Sequence, residues 1–270
     1  MTQTLSKYYQ VFKISLEDQL VYRARVLLWR IRSVIRFLTT YFFWLAMFSN
    51  NPHLYNYSRA DILTYVFMSQ ILYDIIYTTL TDEVAVEIAQ GSLGNYLLKP
   101  VNYLKYKIAI GLADKSHNVF FSILEAIGLY FIFRPPFRLP QLGSSYLIFI
   151  AAVILACILY FELSYWVSLH AFWFRENAGW PIRFLFMMLV SFLSGNFFPL
   201  NFLPKTLFTF LTLLPTTYLT YVPIQFWLEK TDSFTTWFSF VMMILWITIL
   251  GFLIQKTWKK GLQIYESEGK

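Results

Sequence analysis

Long apolar runs broken by short polar intervals repeat along the chain, and their lengths set the elements. Leu5, Tyr9, Phe12, Leu16 and Leu20 recur on one helical face, with Lys7, Lys13, Glu17 and Asp18 elsewhere. That pattern predicts an amphipathic helix lying in a membrane interface, within an interfacial stretch 5–30. Arg23, Arg25, Arg30, Arg32 and Arg36 come next, then an apolar run over 37–48. A first span is predicted from near Ile31, with Arg32 and Arg36 snorkelling back to the headgroups, and Asn50, Asn51 and Pro52 end it. Asn56-Tyr57-Ser58 in the following loop is formally a glycosylation sequon. Further spans are predicted over 62–80, 106–133, 146–174, 184–198 and 234–258, with a polar tail from 259 to 270. Arg134-Pro135-Pro136 breaks the chain after the third span, and a polar turn over 175–183 joins the fourth to the fifth. Residues 199–230 are apolar but cut by Pro199, Pro204, Pro215 and Pro223. The uninterrupted pieces are too short to cross ~30 Å of hydrocarbon, so 199–230 predicts a re-entrant hairpin buried against protein. The fold class is therefore an all-α polytopic membrane protein with six transmembrane helices, one domain over 1–270.

The longest patterned polar interval is the bridge 81–105, between the second and third spans. Thr81 suits a helix cap, and Asp82 and Glu83 suit the positive end of the helix dipole. Val84, Ala85, Ile88 and Ala89 recur on one side, while Glu83, Glu87 and Gln90 fall on the other. Gly91 suits the helix end, Gly94 a loose elbow, and Pro100 stops a second short segment holding Tyr96, Leu97 and Leu98. The pattern fits a helix–elbow–helix at the membrane surface, able to touch a soluble partner. It fits equally a solvated loop with helical character.

Composition supports the membrane class: 57% of residues are hydrophobic and 14% charged, against about 25% charged in soluble domains. The net charge of +7 raises the question of nucleic acid. The basic residues, however, flank apolar runs and form no patch between aromatics, so the lipid bilayer is the expected partner and nucleic acid is not. Of the 22 Lys and Arg, all but Arg59, Arg134, Arg138, Lys205 and Lys230 share one side with the termini, the bridge and the 175–183 turn. Both termini and the bridge are therefore expected in the cytoplasm. Residues 1–36 offer no apolar core followed by a cleavage site, so no signal peptide is expected. Cys157 alone supports neither a disulfide framework nor a thiolate site.

Candidate chemistry is sparse. No GxxxxGK[ST] loop or HExxH motif occurs, and His53, His117 and His170 are far apart, so no catalytic, metal or cofactor site is expected. Three intramembrane carboxylates remain: Asp74, Glu125 and Glu162. Such groups face a bundle interior or a wet cavity, as a translocation path, a proton site, or simply hydrogen-bonded or protonated. With no basic partner expected inside the spans, they make a poor relay. A proton-coupled secondary transporter using these three is the main alternative to the reading below. A membrane-embedded enzyme would need a His, Asp or Glu cluster, which is lacking.

Three stretches carry recognisable patterns. Ile88 to Pro100 (IAQGSLGNYLLKP) is similar to an I-x-x-G-x-L-x-x-Y-L-L-K-P signature. Ser194 to Pro204 (SGNFFPLNFLP) resembles an SG-x-x-F-P-L-x-x-L-P element before a re-entrant hairpin, and Trp258 to Glu266 resembles a W-x-x-G-L-x-x-Y-E ending. Together, in this order, they resemble ABC-2-type transporter permeases. The resemblance implies a six-span permease with an N-terminal interface helix, a cytoplasmic coupling helix and an extracytoplasmic re-entrant hairpin. It also implies two copies of a separate ATPase, which bind ATP and Mg, and a second permease, identical or paralogous. Glu83, Val84, Glu87, Ile88, Gly91, Leu93 and Lys99 would then form the ATPase-coupling surface, Val84, Ile88 and Leu93 by apolar packing and Glu83, Glu87 and Lys99 by charge. The second and fifth spans would face the pathway at the permease dimer interface, with Asp74, Asn196 and Phe197 lining it. A bacterial inner-membrane exporter is the implied setting.

Overall fold

The computed structural model describes residues 2–267 apart from 22, 49–52, 55–56 and 175. The stop at Asn50–Pro52, the sequon's Asn56 and Arg175 of the turn lie outside the described residues. The chain is about 81% helical. Helices α1 (Thr2–Val21) and α2 (Arg23–Met47) open it. Two short antiparallel strands, β1 (His53–Leu54) and β2 (Tyr57–Ser58), follow, with Leu54 opposite Tyr57. Then come α3 (Arg59–Ile76), α4 (Thr81–Ala89), α5 (Gly94–Leu97), α6 (Tyr103–Phe133), α7 (Gly143–Leu169) and α8 (Trp180–Leu193). The chain ends with α9 (Lys205–Leu211), α10 (Tyr221–Trp227) and α11 (Ser233–Ser267).

Local signals account for the helix ends. The Ser58 hydroxyl accepts from the Asp61 N–H and the Asp61 carboxylate accepts from the Ser58 N–H, a reciprocal cap that starts α3. Asn102 caps α6 by accepting from the Lys105 N–H at 3.0 Å. At the far end of α6, Arg134 takes the left-handed conformation (φ 42°), and Pro135 cannot continue the helix.

Among the described residues, three helical stretches are long and apolar enough to cross a membrane: Tyr103–Phe133, Gly143–Phe172 and Ser233–Tyr265. The pair Lys205–Leu211 and Pro215–Trp227, bent by 80°, makes a fourth if counted as one broken span. The break falls between Leu211 and Pro215, inside the proline-cut segment 199–230. Length and composition of the described residues thus give three to four candidate spans. Helix α8 has 14 residues, about 21 Å at 1.5 Å per residue, which is short of the ~30 Å core.

Helix α3 is enclosed by its own chain. Its interior side includes Ile62, Leu63, Leu72 and Ile76, all at most 1% exposed, in the main apolar core with α2, α7 and α10. On that side α3 is already covered within this chain, while Ile71, Tyr73 and Ile75 are only half-buried. Helix α8 leaves Phe184, Leu185, Met188 and Phe192 exposed. The expected polar tail also changes: α11 runs without a break to Ser267, past the apolar segment. Its last turns bring the C-terminal end back beside the bridge.

Candidate functional site

The bridge is built as two faces of α4 and α5. Thr81, Val84, Ala85 and Ile88 are buried, the i, i+3, i+4, i+7 rhythm of one helical side. Val84, Ala85 and Ile88, with Leu93, join a second apolar core made with Tyr103 of α6, Tyr165 and Leu169 of α7, Phe172, and Ile254 and Tyr265 of α11. Val84, Ile88 and Leu93 are 0% exposed, so direct apolar packing of these three on a partner is corrected: they anchor the bridge to this chain. Thr81 does not cap α4; it is the first helical residue, and its hydroxyl pairs with that of Ser164 at 2.6 Å.

The expected charge residues divide as well. Lys107, 3% exposed, donates to Glu87 at 2.7 Å and to Glu83 at 3.2 Å. The Tyr103 hydroxyl donates to the other Glu87 oxygen. Glu87 is therefore turned inward, while the Glu83 side chain stays 47% exposed. Lys99 is exposed and sits over the Tyr96 ring at 5.1 Å. Burial and the neighbouring Glu87 carboxylate both push the Tyr96 hydroxyl upward, so it stays protonated.

The elbow is held rather than loose. Gly91 has φ 78°, a region L side chains rarely adopt. Its carbonyl accepts from the Tyr265 hydroxyl, which in turn accepts from the Gly94 N–H at 3.1 Å. Trp258, Gly261, Leu262 and Tyr265 repeat at helical spacing, which explains the ending motif. Trp258 stacks on Tyr103, and Phe172 lies against Gly261 and edge-on to Tyr265. The outward face of the bridge carries Asp82, Glu83, Val86, Gln90, Asn95, Leu97, Leu98 and Lys99, with Leu98 89% exposed.

A second polar constellation sits inside the bundle. Arg30 Nη1 lies 3.5 Å from Asp74 Oδ2 and 3.4 Å from Glu125 Oε2, and Nη2 donates to Asn118 at 2.7 Å. Arg36 donates twice to Gln70 Oε1, reaches Asp74 at 3.5 Å and stacks on Tyr73. Ser33 donates to Asp74 at 2.7 Å. The expectation of carboxylates without basic partners is thus corrected for Asp74 and Glu125. Arg36 does not snorkel out, because interior acceptors satisfy its guanidinium. Glu162 is apart from this cluster, opposite Gly251, with Oε2 buried and without a hydrogen-bond partner.

Asn196 and Phe197 line a cleft with Arg36 and Gln70, and Asp74 and Glu125 line its neighbour; Phe37 and Gln70 border both. The structure therefore brings Asp74, Asn196 and Phe197 near one seam. Two bonds position the 195–197 loop: Tyr65 donates to the Gly195 carbonyl, and Trp44 to the Phe197 carbonyl at 3.0 Å. Sequence reading missed Arg30, Ser33 and Arg36 as partners. The signal was present as matching polar stripes: Arg30, Ser33 and Arg36; Gln70 and Asp74; Asn118, Ser122 and Glu125.

With this geometry in place, a family model described as ABC-2 family transporter protein matches residues 34–269. The chain belongs to that family. No curated protein gave a match. An ABC-2 family transporter protein is a membrane subunit of a transporter, and the apolar helices of this one make it a multi-pass membrane protein. The family also implies an ABC ATPase subunit as partner. The matched region takes in the bridge, the 194–204 loop and the C-terminal turns, the three places whose packing is described above.

Proposed function

We propose that this chain is the permease subunit of an ABC exporter in the bacterial inner membrane, crossing it six times with both termini cytoplasmic. Two copies of a separate ATPase, holding ATP and Mg, would press on the bridge, and a second permease, identical or paralogous, would complete the assembly. The observation that carries this reading is the division of the bridge. One face is locked into the second apolar core, while the other presents Val86, Leu97 and Leu98 among Asp82, Glu83 and Lys99. An apolar centre with a charged rim is the usual make-up of a docking surface.

The bridge joins the end of α3 to the start of α6, so a push on its outer face is transmitted to both helices. The chain itself makes no covalent step; its work is a conformational equilibrium biased by the partner. The charge sorting supports the orientation, since Tyr8 meets Asn102 and Tyr265 meets Gly91 at the same end of the bundle. The proton-coupled alternative loses support, because Asp74 and Glu125 are paired with Arg30 and Arg36.

Leu98→Asp and Val86→Asp test the reading. Each is expected to cut ATPase capture and ATP-dependent export about tenfold, the scale of one interface anchor, with thermal stability unchanged. Full capture and export in both variants would refute docking at this face.

A further inference from the structure

Helix α3 stops short of the bridge, and its last carbonyls need partners from beyond the helix. The Tyr73 carbonyl accepts from the Tyr77 N–H at 3.0 Å, and the Asp74 carbonyl from the Thr78 hydroxyl at 2.8 Å. The last two belong to Lys115 of α6. Its Nζ donates to the Ile75 carbonyl at 2.6 Å and to the Ile76 carbonyl at 3.2 Å. The Cys157 thiol, 3.9 Å from the Ile75 carbonyl, is only a weak donor beside it. A lysine within an apolar helix is costly and marks a function by default. Here the cation meets the negative end of the α3 dipole.

The bridge is fixed to the same helix. Lys107 holds Glu87 at 2.7 Å and Glu83 at 3.2 Å. It stands two turns before Lys115, ~12 Å along α6 at about 1.5 Å per residue. Helix α6 thus grips the bridge with one lysine and the end of α3 with another. Residues 77–80, the covalent link between α3 and the bridge, are not helical, so that link bends under load instead of carrying it. We propose that Lys115 is the positioning residue through which a push on the bridge reaches α3. The proposal rests on the permease reading and names the contact that passes the motion on. Thrust enters α6 through Lys107 and leaves it for α3 through Lys115, so the two helices shift together. Arg30 also faces both helices, but from α2 and at 3.4–3.5 Å, longer than a close charge-assisted bond.

The test uses the full chain in nanodiscs with its ATPase captured, on a Cys157→Ala background that removes the native cysteine. Spin labels go on Arg59→Cys at the start of α3, Ile132→Cys near the end of α6 and Phe234→Cys near the start of α11, all exposed positions. Pairwise distances are measured without nucleotide and with ATP and vanadate. With Lys115 in place, both distances to Phe234 are expected to shift while the Arg59–Ile132 distance stays constant. Lys115→Met is expected to cut the Arg59–Phe234 shift about twofold or more and keep the Ile132–Phe234 shift. Lys115→Arg, which restores a charged donor, is expected to bring the lost shift back. A full Arg59–Phe234 shift in Lys115→Met overturns the proposal. So does an Arg59–Ile132 distance that changes as much as the other two while Lys115 is present, and this second comparison decides the matter even if Lys115→Met fails to fold. Either result leaves the permease reading standing. Failure to capture the ATPase, or no shift at any pair, overturns that reading and the proposal with it.

Discussion

The Tyr265 hydroxyl donates to the Gly91 carbonyl across 174 positions of sequence and accepts from the Gly94 N–H at 3.1 Å. One side chain near the C-terminal end of α11 therefore closes the elbow between α4 and α5. Because Gly91 and Gly94 lie on either side of that turn, the two bonds set the angle at which the outer face is presented.

Tyr265→Phe keeps the ring against Phe172 and removes both bonds. A loss of roughly 1–2 kcal/mol is expected, the scale of polar groups left without partners. Amide exchange of Gly94 should accelerate, while exchange in the core of α7 stays slow. Unchanged protection at Gly94 would show that the elbow is held by packing alone.

Lys107→Met leaves Glu87 largely buried and without its cation. Breaking such a pair costs roughly 3 kcal/mol, with little of it from Glu83, which is half exposed and screened. Adding Glu87→Gln to Lys107→Met should recover most of the loss, because the stranded charge goes too. Thermal unfolding of the single and double variants measures this, and equal losses in the two would rule out the charge explanation.

Gly261→Ala tests the close approach of α11 to the 3-10 turn after α7. A Cβ there would lie 2.2 Å from Phe172 Cδ2, far inside van der Waals contact. Overpacking of this kind costs about 1–3 kcal/mol. The combination with Phe172→Leu should restore part of it. A stable single alanine variant would show that the Phe172 ring can swing away.

Asp61, at the opposite end of the bundle, carries a pH prediction. Burial opposes its ionisation, but the hydrogen bonds from Arg138, the Ser58 N–H and Lys230 outweigh it and hold the carboxyl below the ordinary value of 3.8. A lowered value means stability that is present above about pH 4 and is lost as the pH falls through the folded-state value. Asp61→Asn should flatten the acid limb of a thermal-stability profile. An identical acid limb in this variant would assign the acid sensitivity to other groups.

Much of this was legible from spacing. The rhythm Val84, Ala85, Ile88 marks the buried side of α4, and the prolines of 199–230 mark a segment whose helices bend by 80°. Asp74, Asn196 and Phe197, lining residues only by the family resemblance, border two adjoining clefts. The fate of Arg36 was less legible. An arginine near the start of an apolar run is read as reaching for headgroups, and only the neighbouring helices reveal that Gln70, Asp74 and Tyr73 receive it instead. Lys107 is similar: its place near the bridge end of α6 suggests a cytoplasmic charge, yet Glu83 and Glu87 fold back over it.

By itself the sequence determined the all-helical membrane class, the patterned bridge and the family motifs, because hydropathy, helical periodicity and proline breaks are sums over neighbouring residues. The tertiary structure alone decided which face of the bridge is left open, which cations meet Asp74 and Glu125, and that α3 is wrapped by its own chain. Those outcomes depend on surfaces brought together from distant positions, and burial and ion pairing exist only once they meet.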